Sequence, residues 1–155
     1  MLEMWSYIAW FVDGEWCFTV SFTMRKSIKT WIEVRPSFSI SQKKFSLWVL
    51  KDIQSYFSCW WIRYSKTDWT YKYEVRSIHD LWKTIIPHFR KYQLITDKRN
   101  DFNSFDIICW SIISNNHLNH IWLIEIIELA YSMNRAWKRK YPKKDLLKTI
   151  NKMKV

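Results

Sequence analysis

A chain of 155 residues, 48% of them hydrophobic, is long enough for one domain with a real core. Its 25 Lys and Arg against 14 Asp and Glu leave a net charge of +11, which points to a polyanionic partner: DNA, RNA or an anionic membrane surface. A bilayer span is not expected, because the most apolar run, "IWLIEIIELAY", contains two glutamates, and "MLEMWSY" carries an acid where a signal peptide needs a basic region.

Met4 to Val12 has the apolar spacing of a short buried helix, and it runs out at two acids, Asp13 and Glu15. Trp16 to Met24 then alternates, with Phe18, Val20, Phe22 and Met24 on one face and Cys17, Thr19, Ser21 and Thr23 on the other, as in a half-buried strand. "MRKSIKT" is a basic connection that includes Arg25 and Lys26. "WIEVRPSFSIS" alternates again, setting Ile32, Val34, Phe38 and Ile40 against Glu33, Arg35, Ser37 and Ser39, and Pro36 calls for an edge position or a bulge. Phe45, Trp48, Val49, Ile53 and Phe57 recur at helical spacing. "WWIRYSK" and "TYKYEVRS" flank a Thr67–Asp68–Trp69 turn as a second hairpin. Ile78 to Tyr92 reads as a helix that Pro87 should kink or end, and two more helices follow over Phe102–Ile113 and His120–Met133.

The resulting order is αββαββα with extra C-terminal helices, an α+β fold over residues 1–134. Residues 135–155 form a basic tail with nine cations and one acid, Asp145, which leaves only +3 for the rest. That tail reads either as an arm for phosphates or as a solvated end with a short helix near "KDLLKTINKM". The polar face of the two hairpins offers Thr19, Ser21, Thr23, Arg35, Ser37, Arg63, Ser65, Lys72, Glu74 and Arg76. Short hydroxyls and forked cations are what base edges and phosphates require, although any solvated sheet face can look alike. Cys17, Cys59 and Cys109, odd in number and far apart, read as thiols of a reducing compartment and not as a disulfide frame or zinc site. His117 and His120 have ligand-like spacing but no acid or cysteine beside them.

Glycine and tryptophan usage are both abnormal. The chain has one glycine, Gly14, and 12 tryptophans; ordinary usage of about 7% would give roughly 11 glycines. Several tryptophans stand in glycine-like contexts, such as the "TDWTY" turn. One explanation is translation: a UGA codon that means glycine in some bacterial lineages has been read as tryptophan, with Trp10, Trp16, Trp60 and Trp69 the leading candidates and Trp5, Trp48 and Trp82 genuine. The alternative is a protein truly rich in tryptophan.

A carboxylate at the mouth of a helix suits a hard divalent cation, although Asp13 could equally cap neighbouring backbone. "IAWFVDGEW", Ile8 to Trp16, resembles the nine-residue motif of the LAGLIDADG homing endonucleases, with Trp10 and Trp16 in place of its glycines. "FSISQKK" resembles the family's second strand entering its helix, "WWIRYSKTDWTYKYEVRSIHDL" its second hairpin, and "IIPHFRKYQLITDKRNDF" its late block.

The resemblance implies a fold with a four-stranded antiparallel saddle sheet lying in the DNA major groove. One motif per chain implies a homodimer on a long, near-palindromic site, joined along the motif helix through Ile8, Ala9, Trp10, Val12 and Asp13. It implies Mg²⁺ (or Mn²⁺) at Glu15 and the Gly14 carbonyl, with Asp13 supporting the helix end. Gln42 falls near the attacking water and Lys98 near the scissile phosphate, with Arg99 as the rival of Lys98. The resemblance thus implies metal-dependent double-strand cleavage by an intron-encoded enzyme, in the cytoplasm or nucleoid of a bacterium, or in an organelle matrix if the gene is organellar. An RNA-binding intron maturase and a non-catalytic DNA-binding regulator are the competing readings. Indoles at Trp10 and Trp16 would crowd the helix seam and the turn that aims Glu15, so either glycine is the true residue there or this copy has lost its dimer geometry.

Overall fold

The structure is a computed structural model and describes residues 3–13, 17–135 and 137–153. The elements run α1 (Met4–Asp13), β1 (Phe18–Met24), β2 (Ile32–Gln42), α2 (Leu47–Phe57), β3 (Ile62–Ser65), β4 (Thr70–Val75), α3 (Ile78–Asp80), α4 (Ile86–Lys91), α5 (Lys98–Ile113), α6 (His120–Ser132) and α7 (Lys143–Met153). The four strands make one antiparallel sheet in the order β1-β2-β4-β3, the αββαββα arrangement expected from the hydrophobic periodicity.

Strand alternation sets which face meets the helices. Phe18, Val20 and Phe22 bury while Thr19, Ser21 and Thr23 stay at the opposite surface. Phe18 is the hub of the core: its ring lies 5.2–5.4 Å from those of Phe38, Phe89, Phe102 and Phe105, and each such pair adds about 0.5–1.5 kcal/mol beyond burial. Cys17 is fully buried and so does not join the polar face. The three cysteines carry no disulfide.

Two helical expectations change in detail. Phe45 lies in a 3₁₀ turn, Lys44–Ser46, ahead of α2, and that tighter turn rotates it out of the stripe; it is 79% exposed, and Trp48 is 60% exposed. Val49, Leu50, Ile53 and Phe57 form the buried side of α2. Between α3 and α4 the chain makes a π-helical stretch, Leu81–Ile85. Pro87 has no N–H for the carbonyl one turn earlier, and the widened turn before it absorbs the defect without ending the helical run.

Pro36 sits in a strand with two neighbours, yet breaks no ladder. The Ser39 amide donates to the Cys17 carbonyl at 2.9 Å, and Cys17, Thr19 and Ser21 therefore occupy the hydrogen-bonded positions of the β1–β2 pair. Val20, opposite Pro36, is a non-bonded position, so the Pro36 nitrogen faces away from β1. On that side β4 pairs with β2 only from Phe38 onward. Pro36 is thus locally at an edge.

The same parity turns the Phe18 and Val20 carbonyls outward along the open edge of β1. Both are taken up from the C-terminal side: Asn134 Nδ2 donates to Phe18 O at 2.6 Å, and Arg139 Nη1 to Val20 O at 2.8 Å. Arg139 also donates to the Ala130 and Met133 carbonyls at the end of α6 and lies over the Tyr131 and Trp137 rings. Leu146 and Ile150 of α7 join the common core. The boundary expected at residues 134/135 therefore falls inside a stretch tied to β1 from both sides.

Six described non-glycine residues have positive φ: Trp31 (53°), Ser58 (52°), Trp60 (65°), Trp69 (56°), Asn115 (60°) and Asn134 (45°). Asparagine tolerates this region, and Ser58 is the left-handed cap of α2. Tryptophan has no such excuse. Among the described residues no helix is long and apolar enough to cross a membrane.

Candidate nucleic-acid interface and the cleft at the end of α1

Register assembles the polar face from all four strands. Thr19 opposes Ser37, Ser21 opposes Arg35, Ser39 opposes Glu74, Ser41 opposes Lys72, Lys72 opposes Arg63, and Thr70 opposes Ser65. Thr19 and Ser37 share a 2.8 Å hydroxyl bond. Two acids organise the cations. Glu33 holds Arg25 at 3.2 Å and Arg35 at 3.5 Å; Glu74 holds Arg63 at 2.8 Å and Arg76 at 3.1 Å. All four guanidinium groups are half-exposed or more, so each pair is worth at most about 1 kcal/mol and fixes orientation more than stability. The face carries Arg25, Arg35, Arg63, Lys72 and Arg76 against these two acids, and Lys26 is exposed in the turn that follows β1. The strand residues of the expected set are thus brought together, and the face gains Glu33 and Ser41, while Ser39, opposite the buried Cys17, is itself buried. Extending the alternation of β2 two residues further would have found Ser41; Glu33 was legible on that face but carries the wrong charge for a phosphate.

A second cleft opens at the C-terminal end of α1, lined by Asp13, Thr96, Lys98, Asp101 and Asn134 among others. Asp13 is a latch. Its carboxylate accepts from the Ile95 amide at 3.0 Å, the Thr96 amide at 3.2 Å and the Thr96 hydroxyl at 2.7 Å. This ties the end of α1 to the loop that enters α5. Lys98 opens α5, with its ammonium 3.0 Å from Asn134 Oδ1 and 3.4 Å from Asp101 Oδ2. Arg99, its rival, is exposed. Gln42 ends β2 opposite Tyr71, half-buried and on the parity of Phe38 and Ile40, so it belongs to the helix side of the sheet and not to the polar face. Gly14, Glu15 and Trp16 lie outside the described residues.

The surface of α1 differs from expectation at two positions. Ile8 and Val12 expose nothing, because the i, i+4 stripe they form faces the chain's own core. They cannot present a surface to a second copy. Ala9 is half-buried and Trp10 is 73% exposed on the outward side. Among the described residues no three His, Cys, Asp or Glu side chains gather as a metal-holding group. Of the three described acids that line the cleft, Asp13 and Asp101 are engaged as above, and Asp97 immediately precedes α5. Thr96, Asp101 and Asn134 had no signal in the sequence: the long-range partners that place them lie 33 to 116 residues away.

Residues 8–109 match the LAGLIDADG endonuclease family. The chain belongs to that family. Among curated proteins, it is 34% identical over 130 residues to a "Probable intron-encoded endonuclease 2" of Neurospora crassa, covering 83% of this chain and 29% of that protein. It is 31% identical over 94 residues to a "Probable intron-encoded DNA endonuclease 1" of Mycosarcoma maydis, covering 61% of this chain and 33% of that one. The LAGLIDADG chain thus spans about a third or less of the curated relatives it matches. Solved structures match more completely. The homing endonuclease I-TnaI superposes with a TM-score of 0.82 at 31% identity, covering 98% of both chains. The archaeal intron-encoded homing endonuclease I-Vdi141I, complexed with DNA, gives 0.85 at 28% identity, covering 97% of this chain and 96% of that one. I-SmaMI bound to uncleaved DNA with calcium ions gives 0.84 at 28% identity, covering 97% of this chain but 49% of that one.

Proposed function

We propose that the chain is a site-specific double-strand DNA endonuclease acting as a pair of identical protomers. The observation that carries the reading is the end-to-end likeness to I-Vdi141I complexed with DNA. The charged sheet face supports it, with guanidinium groups fixed by Glu33 and Glu74 at distances that leave them open to phosphate. The likeness to I-TnaI runs over 98% of both chains, and the outward side of α1, with Ala9 and Trp10, is the surface two such copies would share.

A divalent ion, Mg²⁺ or Mn²⁺, would activate water and stabilise the leaving oxygen of the phosphodiester. Glu15 and the carbonyl of Gly14 are the oxygen donors for it, since Asp13 is already committed to the loop at Ile95 and Thr96. Asp13 thereby fixes the helix end from which Glu15 follows. Lys98 faces the scissile phosphate, and Gln42 orients the attacking water. Thr19, Ser21, Thr23, Ser37, Ser65 and Lys72 read base edges while Arg25, Lys26, Arg35, Arg63 and Arg76 hold the backbone. The enzyme works in the compartment that holds its host intron. The curated relatives are fungal, so the bacterial setting expected from the sequence has no support among them.

The test is cleavage of a duplex spanning the uninterrupted host junction, with magnesium supplied. Both strands should be cut, and Glu15→Gln should lower the rate roughly a hundred-fold or more. Intron RNA binding without DNA cleavage, or duplex binding indifferent to Glu15→Gln with no cutting, overturns the assignment.

A further inference from the structure

We propose that Asp101 and Asn134 are positioning residues that hold the Lys98 ammonium in the cleft at the end of α1; this rests on the nuclease reading. Lys98 and Arg99 occupy the first turn of α5, and the capping residue Asp97 makes no side-chain cap bond. Cations there oppose the helix dipole, where acids are the favoured residues. The sequence therefore places Lys98 against local preference and supplies a clamp to keep it. Asn134 is buried and left-handed at φ 45°, so its amide is aimed and not mobile. Its oxygen accepts from Lys98 and its nitrogen donates to Phe18 O. Asp101 reaches both partners: Oδ2 lies 3.4 Å from Lys98 Nζ, and Oδ1 accepts from the Asn134 backbone N–H at 3.4 Å. The ammonium is thereby referenced to β1, α5 and the segment after α6 at once. The rival reading is a purely structural strut in which Lys98 merely closes the network.

A double-mutant cycle on single-turnover cleavage separates the two. Asn134→Gly keeps the positive φ and removes both amide bonds; Asp101→Asn keeps the shape and removes the charge. Each should slow cleavage about ten-fold or more with duplex affinity unchanged, and neither should slow a Lys98→Ala protein any further. Equal losses in both backgrounds overturn the proposal. Competitive acetylation of Lys98 decides independently of activity: labelling should rise several-fold in both variants, and labelling equal to the parent overturns the clamp. A parent that cuts no duplex, yet shows that rise, fails the nuclease reading alone.

A different observation carries a second inference: the geometry points to glycine as the natural residue at positions 31, 60 and 69. Half of the positive-φ residues described are tryptophan, in a chain with a single glycine. Each stands where a strand is about to begin. Trp31 closes the β1–β2 connection, its N–H donating to Ile28 O while its carbonyl accepts from Arg25. Trp69 ends the turn before β4, the left-handed place where hairpins want glycine. Trp60 lies between α2 and β3. A Cβ is penalised in this conformation and glycine is not. The indole of Trp69 is 75% exposed, although Trp60 does donate its indole N–H to Asp80. Trp60 and Trp69 were suspect from sequence alone; Trp31 is new. The triple Trp→Gly variant should melt roughly 6 °C or more higher, because three left-handed Cβ penalties are removed. A triple variant that melts at or below the parent overturns the inference.

Discussion

Protonation of His88 should weaken the fold at mildly acid pH, and His88→Phe should remove that weakness. His88 is 7% exposed on α4, inside a cage of Tyr56, Phe57, Phe89 and Tyr92 with ring centres 4.7–5.3 Å away. Its Nδ1 is 3.1 Å from the Tyr56 hydroxyl, and its Nε2 is buried with no hydrogen-bond partner among the described residues. Burial pushes its pKa down from 6.5 to about 4. The neutral ring is the folded form, so the associated stability is complete above pH 6.5. It is lost as pH falls from there toward 4, while the unfolded chain takes up a proton that the folded one refuses. The slope is at most about 1.4 kcal/mol per pH unit, giving a loss of about 2 kcal/mol between pH 7 and pH 4.5. Phenylalanine keeps the ring and cannot titrate, at the cost of a Tyr56 bond worth about 1 kcal/mol. Urea unfolding at pH 7, 6, 5 and 4.5 should therefore find the parent equal or slightly superior at neutral pH and inferior by about 1–2 kcal/mol at pH 4.5. Two curves that stay parallel across this range would refute the reasoning.

Arg139→Met should destabilise by about 3 kcal/mol or more, because three carbonyls lose a charged donor that burial already holds below its ordinary pKa; a thermal melt checks it. Asp13→Ala should raise hydrogen exchange at the Ile95 and Thr96 amides by roughly 30–100-fold, since both lose their acceptor. Glu74→Gln should change stability by less than about 1 kcal/mol, yet strengthen binding to duplexes of any sequence and steepen its salt dependence, because Arg63 and Arg76 are released together.

Strand content was legible because a period of two is local. Phe18, Val20 and Phe22 announce β1 without help from any other residue, and the hairpin around Lys66–Trp69 follows from its turn. Helix faces were less so: a three-residue 3₁₀ turn, invisible in the spacing of Phe45 and Val49, was enough to turn Phe45 into solvent. The α1 stripe was read as a seam between copies, but burial assigns Ile8 and Val12 to the chain's own core. The cleft was half legible. Lys98, and Asp13 as the support of the helix end, came from a motif likeness, whereas the Ile95 and Thr96 partners of Asp13 and the role of Asn134 depend on separations that no local pattern encodes.

The closure of the β1 edge bears on how the protein is made. Asn134 and Arg139, which quench the outward carbonyls of β1, lie 116 and 119 residues downstream of them. Until both have left the ribosome and folded back, the nascent sheet offers a bare adhesive margin to any other extended chain. A premature stop ahead of Asn134 would therefore yield a product drawn toward aggregation.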